Sequence, residues 1–507
     1  MDTTEVLVVG AGPTGLTLAC ALLRQEVPVR VVDQAPGPAA TSRANILHAR
    51  GVEVLDRLGA LGDLPERAVT ALTITAYAGG RPVSSLRFGD VGLGTARPAL
   101  LVSQADIEAE LRRVLAELGG AVEWNTALTG VELDDTGVTA ALGTGKSVRA
   151  SWLVGCDGAH SATRKLAGIG FPGAPIADRW LLADVRLDWP LDRSGSHGWL
   201  HRDGVFGALP MRMVGGADDV WRLMAYVPDA GAEKLGEDQV LEWFHRLLPE
   251  RTGVTDFRIR GAVWTSVFRI HRRLAERYRR GRVLLAGDAA HIHSPLGGQG
   301  MLTGIGDAEN LAWKLALVTE NRATEALLDT YQAERRPLAV NVLRRTSANT
   351  RFQVGTGPVT RFLRERVVTP LLDRPVAQRW ATAAAAQLWV SYRRGPLAEP
   401  TSRFARRPRP GDRVPDLPCR RANGDTTRLH AELGDRWALL SSATVETPLA
   451  LARERLGERI DNFTLADVRP GEVWLVRPDA HLAWRGAPEA GGLARWLDHA
   501  LRTGRVR

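Results

Sequence analysis

Residues 5–15 read Glu5-Val6-Leu7-Val8-Val9-Gly10-Ala11-Gly12-Pro13-Thr14-Gly15. An apolar β run breaks at once into a glycine loop, and Leu16 to Gln25 continue with helical character. A second strand, Val27 to Val32, ends at Asp33, 23 residues after Gly10. The G-x-G-x-x-G pattern thus sits between the first strand and the helix of a βαβ unit, a context that makes a weak motif informative. Gly10 permits the tight turn, Gly12 lets backbone approach a pyrophosphate, and Gly15 lets helix pack on strand. Ala11, Pro13 and Thr14 complete a loop at a helix N-terminus, where N–H donors and positive potential favour phosphate. Asp33 is placed to accept from adenosine ribose hydroxyls, and its charge disfavours a 2′-phosphate.

Two other apolar runs end in similar clusters, Trp152-Leu153-Val154-Gly155-Cys156-Asp157-Gly158 and Arg282-Val283-Leu284-Leu285-Ala286-Gly287-Asp288. Both read as strands buried on both faces, delivering a carboxylate to the carboxyl edge of one parallel sheet. Doubly wound sheets bind ligands at that edge. The second run continues through Ala289-Ala290-His291, Pro295 and Gly297-Gly298-Gln299-Gly300-Met301-Leu302 into a long helix. Asp288 is positioned to bond the polyol of a ribityl chain. The glycine loop offers backbone N–H groups able to stabilise negative charge at the N1–C2=O edge of a reduced isoalloxazine. A nicotinamide coenzyme has neither feature, so the expected resident dinucleotide is FAD.

Three motifs in this order and spacing, across nearly the whole chain, resemble the class A flavoprotein aromatic monooxygenases of p-hydroxybenzoate hydroxylase-like fold. Within them, the chain is most similar to the aromatic polyketide hydroxylases and rifampicin-type monooxygenases. The resemblance implies that the Gly10–Gly15 loop and Asp33 hold adenosine and pyrophosphate. It places Arg43 near ring and diphosphate, Gln104 at the flavin side chain, and the Leu128 backbone at the adenine. Asp157 opens the stretch DGAHSATR over 157–164, matching a fingerprint linked to both FAD and NAD(P)H. Asp288 and the loop from Pro295 through Gly298 and Gly300 to Met301 match the flavin end. Two positions depart: Leu302 stands where the family usually has asparagine, and Gly306 where it commonly has glutamine. The Leu302 backbone can still serve flavin O2, while any side-chain contact is lost. The implied reaction has NADPH or NADH reduce FAD, O₂ add at C4a, and the hydroperoxide pass OH to an electron-rich ring.

The expected fold class is α/β: a doubly wound FAD-binding domain (GR2-type, Rossmann-like), an inserted antiparallel-sheet substrate domain and a C-terminal thioredoxin-like α/β domain. The boundaries read 1–72, 98–175 and 276–395 for the first, and 73–97 with 176–275 for the second. Residues 396–507 hold a linker and the third; the Pro- and Arg-rich stretch 393–416 marks that linker. The inserted sheet is expected as a lid because 72–88 alternate around Gly79-Gly80 and 180–268 contain alternating segments. His48, Trp199, Phe206, Leu209, Met211 and Met224 are expected to wall the substrate site, although ordinary sheet core accounts for at least half of such large lid residues. No catalytic acid or base is demanded. His197, His201, His291 and His293 read as surface or supporting residues, and the i, i+2 spacing of the last two argues against a metal. A redox role for the C-terminal domain would need paired cysteines, and only Cys419 stands there, so a structural or dimer-contact role is expected.

Composition narrows the partners. A chain of 507 residues implies two or three domains, and 44% apolar with 24% charged residues is ordinary globular usage. There is no uncharged apolar run long enough for a membrane span, and the acidic start lacks a secretory pattern, so a cytoplasmic location is expected. Three dispersed cysteines indicate neither a disulfide framework nor zinc. The formal charge of +9 is spread among acidic residues, and its densest run, Arg269 to Arg282, reads as a solvated helix and turn, so no nucleic-acid partner is expected. The expected partner is a small polycyclic aromatic, polyketide-type molecule, bound by a monomer or homodimer. Baeyer–Villiger oxidation of a polyketide ketone and antibiotic inactivation share every motif above. A flavin-binding carrier module without turnover is the alternative outside enzymes.

Overall fold

The computed structural model describes residues 2–39, 44–69, 73–87, 93–212, 219–227, 235–293, 298–355, 357–399, 407–489 and 491–501. Strand β1 (Asp2–Val9) lies at the centre of the first sheet, and Val6, Leu7 and Val8 are fully buried. It pairs in parallel with β2 (Val29–Val32) on one side and β3 (Ser147–Gly155) on the other. Strand β4 (Val283–Leu285) continues the sheet in parallel beside β3, and Val122–Glu123 extends it beyond β2. Three sequence-distant strands thus end at one edge, as continuous Val/Leu runs buried on both faces require. Strand β2 begins two residues later than expected, at Val29, and the segment VEWNTAL contributes only Val122–Glu123 as strand before Leu128 opens another.

Helix α1 (Pro13–Arg24) follows the glycine loop with Pro at its first position, where the missing N–H is harmless. Its Gly15 to Leu22 stretch is buried, packed against α3 (Gln104–Glu117) and the long helix α5 (Gln299–Thr319). Helix α2 (Ala49–Arg57) also packs on α5, and α6 (Asp329–Val354) lies behind it.

The second sheet contains eight strands, from His291–Ile292 through Arg258–Leu274, Gly173–Asp188, Val220–Tyr226, Gly204–Met211, Gly195–His201 and Thr73–Ala78 to Arg81–Arg87. It is mixed, not wholly antiparallel: Gly195–His201 and Thr73–Ala78 run parallel. Those strands arrive from segments over a hundred residues apart, so no hairpin forces them antiparallel. One face is covered by α4 (Glu237–Thr252), whose Phe244, Leu247 and Leu248 share a buried cluster with Trp199, Phe206, Trp221 and Leu223. The arginine-rich run from 269 is also not helical. It is the end of strand Arg258–Leu274 followed by the short strand Arg279–Arg280. Arg279 and Arg282 bond Glu325, and Arg280 bonds the Ala167 carbonyl, so these guanidinia tie elements together.

The third sheet takes the thioredoxin-like arrangement. Trp437–Ser441 and Ile460–Thr464 are parallel and joined through helix Glu446–Leu456, while Val473–Val476 and Leu482–Gly486 form an antiparallel hairpin. Trp437, Trp484 and Trp496 belong to the same buried cluster as β1 and α5, and Trp313 meets Trp437 edge-on at 5.2 Å. Cys419 is buried, and burial pushes its thiol up to about 11. Among the described residues, no helix is long and apolar enough to cross a membrane.

Candidate functional site

The glycine loop is held from both sides. Gly10 has φ +104°, and a Cβ there would lie 2.5 Å from the Cys156 carbonyl at the end of β3. A Cβ at Gly15 would lie 1.9 Å from the Gly10 carbonyl. Gly12 differs: an added Cβ would meet no described atom within 4 Å. Its absent side chain therefore opens space instead of relieving a clash. Gly12, the N-cap of α1, offers no side chain to cap the first N–H groups of the helix, which suits them to an anionic partner. The Asp33 carboxylate accepts from the Ala11 N–H at 2.7 Å and the Ala35 N–H at 2.8 Å. Each oxygen retains acceptor capacity for a further donor. Asp33 also takes the Thr126 N–H on its own carbonyl, which draws the chain leading into Leu128 alongside. Gln104 bonds backbone of Ala44 in both directions and donates to Glu108 at 2.8 Å. Burial raises the Glu108 pKa, the Gln104 hydrogen bond and Arg112 oppose this, and the charge of Asp33 adds to it. This loop and cleft fit the pyrophosphate and adenosine of a dinucleotide.

The second end is built by the 287–291 turn and the start of α5. Gly287–Ala289 form one 3-10 turn in which Asp288 is exposed between two buried neighbours. A Cβ at Gly287 or Gly304 would lie 2.6 or 2.2 Å from Thr14 Oγ1. Thr14 therefore brings the first turn of α1, the Asp288 turn and α5 into direct contact, joining both ends of the site. Gly298 caps α5 with φ +62°, a left-handed conformation suited to glycine, and has no side chain with which to cap the helix. His48, the N-cap of α2, is 2% exposed, and its Nε2 lies 3.4 Å from where a Gly298 Cβ would stand. Gly300 faces His293 in the same way at 3.7 Å. Met301 packs on the main core; Leu302 is buried, with Cδ1 close over Gly51 of α2. An asparagine amide would be poorly placed in that apolar contact. Arg43 and Pro295 lie outside the described residues.

Comparison with known proteins shows the family. Residues 3–346 match the family model described as FAD binding domain, and residues 407–503 match that described as aromatic-ring hydroxylase, C-terminal. The chain belongs to the FAD-dependent aromatic-ring hydroxylases. A rifampicin monooxygenase of Streptomyces venezuelae is 35% identical over 495 residues, covering 97% of each chain. A 12-dehydrotetracycline 5-monooxygenase/anhydrotetracycline 6-monooxygenase of Streptomyces rimosus is 36% identical over 523 residues, covering 98% of each. The solved structure of aklavinone-11 hydroxylase with FAD and aklavinone superposes with a TM-score of 0.80 at 26% identity, covering 99% of each chain.

In this hydroxylase Asp157 acts inward. Its carboxylate accepts from Ser161 Oγ at 2.5 Å and from the Thr163 N–H and Oγ1 at 2.9 and 3.0 Å, capping helix Ala162–Leu166. Arg164 of the same motif donates to the Ala289 carbonyl at 2.9 Å, beside Asp288. The second motif therefore holds the third in place.

The lid residues divide by face. Trp199 and Phe206 pair across strands and point under α4, away from the cofactor loops, so they are not site walls. Leu209, Met211 and Met224 point to the other face, as their pairing with Arg222, Val220 and Gly207 requires. Leu209 packs there with Ile46 and Leu101, and Ile46 adjoins Gly298, linking that face to the start of α5. On the same face the reading of the sequence missed Asp184 and Arg222, a buried bidentate pair at 2.8 Å beside Leu209. Charged residues at inward positions of alternating strands were its only signal. Also missed was Asp307, which accepts from the Gly287 N–H at 3.1 Å, His291 Nε2 at 2.6 Å and Arg335 Nε at 2.6 Å. Burial alone would raise its pKa, but Arg335 and His291 hold it below the usual range.

Proposed function

We propose that this FAD-dependent monooxygenase hydroxylates a polycyclic aromatic, polyketide-type substrate, with NADPH or NADH as transient reductant and O₂ as co-substrate. The observation that carries the reading is the inward lid face, which bears Leu209, Met211 and Met224 and on which Leu209 packs with Ile46 beside Gly298 of the cofactor loops. Such a surface suits a wide, flat apolar ligand. Names of similar proteins support the class, since rifampicin, anhydrotetracycline and aklavinone are the compounds they specify. FAD, when bound, supplies the electron transfer and oxygen activation. The chain's own residues then have defined tasks. The Gly10–Gly15 loop and Asp33 bind the adenosine diphosphate, with Gln104 and the Leu128 backbone flanking it. Asp288 takes the ribityl hydroxyls. The N–H groups at Gly298, Gly300, Met301 and Leu302 face the ring edge where negative charge accumulates. Residues 73–97 and 176–275 act as the substrate domain that excludes water, closing over the cofactor-binding part formed by 1–72, 98–175 and 276–395.

A panel of polycyclic phenols and quinones, screened for substrate-stimulated NADPH and NADH oxidation with product masses, tests this. A phenol one oxygen heavier supports the reading, and a lactone would replace it with Baeyer–Villiger chemistry. The likeness to rifampicin monooxygenase favours a second reading, oxidation of a finished aromatic antibiotic, which selective turnover of such compounds would establish.

A further inference from the structure

The C-terminal domain lacks paired cysteines, yet its hairpin turn packs directly against the buried hydrogen-bond network that holds the Asp288 turn. Arg477 and Asp479 follow strand Val473–Val476, and His481 precedes the next. All three are at most 3% exposed. Arg477 donates to Glu334 of α6 at 2.8 Å and to Asp479 at 2.9 Å. The His481 ring packs on Tyr392 at a tilt of 38° with centroids 4.3 Å apart, and the Arg477 guanidinium lies over the same ring, 5.0 Å from its centroid. The Tyr392 hydroxyl accepts from Arg335 Nη1 at 3.0 Å. Arg335 adjoins Glu334 on α6, so neighbouring residues of one helix hold the C-terminal hairpin and the flavin-side network. From Arg335, Nη2 donates to the Thr303 carbonyl at 2.9 Å and Nε to Asp307, whose other oxygen takes the Gly287 N–H and His291. Gly306 belongs to this arrangement, because a Cβ there would lie 3.0 Å from Arg335 Nη2. The glycine that departs from the family pattern is the gap through which the guanidinium crosses α5.

We propose that the C-terminal domain is a working part of the flavin site: through Tyr392, Arg335 and Asp307 it sets the position of the Gly287–His291 turn, and with it FAD affinity and the potential of the bound flavin. Tyr392, Arg335 and Asp307 are positioning residues, and the proposal rests on the reading of Asp288 as the ribityl ligand. Ring contacts join the hairpin to Tyr392, and buried charge-assisted hydrogen bonds with fixed partners lead on to Gly287, so displacement is transmitted because each member has one favourable geometry.

Two variants disturb the chain without emptying the core. Tyr392→Phe keeps the ring on His481 and removes only the oxygen that accepts from Arg335. Gly306→Ala removes no bonding group but presses on the Arg335 guanidinium. FAD titration of apoprotein and the midpoint potential of bound flavin are read for both, beside Asp288→Ala and the surface control Arg455→Ala, whose side chain bonds Asp498 at 3.1 Å. The expected result is an FAD Kd raised about five- to tenfold in Tyr392→Phe and Gly306→Ala, a shifted potential, and no change in the control. If Asp288→Ala weakens FAD while both variants match wild type in Kd and potential, the coupling is overturned and the site reading stands. If Asp288→Ala also binds as wild type, the site reading itself is wrong and the proposal falls with it.

Discussion

Gly12→Ala separates what the polypeptide needs from what its ligand needs. Gly12 has φ −76° and ψ −177°, an extended conformation open to alanine, and a Cβ there meets no described atom within 4 Å. The apoprotein should therefore lose little: replacing an N-cap glycine by alanine costs at most about 1 kcal/mol, a shift of at most ~2 °C in Tm for a chain this long. FAD should respond far more strongly. A phosphate at a helix N-terminus gains up to ~2 kcal/mol from the dipole and about 1.5–3 kcal/mol per charge-assisted hydrogen bond. Holding the pyrophosphate off by one methyl group removes about 3 kcal/mol of this, or roughly a hundredfold in Kd. Gly15→Ala is the contrasting case, because its Cβ would lie 1.9 Å from the Gly10 carbonyl. Overpacking there costs about 1–3 kcal/mol or more in the apoprotein itself. Flavin fluorescence titration gives the Kd, and thermal unfolding of both apoproteins by circular dichroism gives stability. Unchanged FAD affinity in Gly12→Ala, or an apoprotein as damaged as Gly15→Ala, would refute the assignment.

The two lid faces predict different phenotypes. Phe206→Ala should lower stability by about 3–5 kcal/mol without altering substrate preference, whereas Met224→Ala or Leu209→Ala should change KM and product distribution with a smaller stability loss; denaturant unfolding and steady-state kinetics with two substrates distinguish them. Acid sensitivity follows from Glu53 and Glu334. Burial would raise both pKa values, but Arg413, His430, Arg50 and Arg57 around Glu53, and Arg477 and Lys314 around Glu334, lower each to about 2. Their folded values lie below the unfolded value of 4.5, so their contribution is present above that pH and is lost as pH falls toward 2. Glu334→Gln should cost about 3 kcal/mol at neutral pH, and the gap from wild type in denaturant midpoint should close on acidification across that window. A constant gap would contradict the assignment.

The cofactor loops were legible because backbone conformation and close approach demand glycine: Gly10, Gly15, Gly287 and Gly298 each occupy positions a side chain would strain or block. Asp288 was readable as the end of a Val/Leu run. The lid was less so. Period-two alternation shows that faces differ, but with α4 on one side and the cofactor loops on the other, both faces bury large apolar side chains, and Trp199 cannot be told from Leu209. Arginines obscured strand Arg258–Leu274, since long basic side chains fill outward strand positions as readily as helical ones. The parallel register of Gly195–His201 with Thr73–Ala78 is non-local, and no short window contains it. Asp307 looked like one polar residue of a long helix; its three partners come from residues 287, 291 and 335. The DGAHSATR motif showed nothing of the bonds inside it, where the Asp157 carboxylate accepts from the Thr163 N–H of the helix that follows.

Turnover under isotopically labelled dioxygen shows whether this flavoprotein inserts oxygen into a polycyclic aromatic ring. FAD-loaded enzyme, NADPH and the substrate that best stimulates its oxidation are incubated, and the product is analysed by mass spectrometry. The expected product carries one labelled oxygen in a new phenolic hydroxyl, with NADPH consumed in step with its formation. A product whose new oxygen comes from water, or NADPH oxidation that never yields an oxygenated aromatic across the panel, would contradict the proposed hydroxylation.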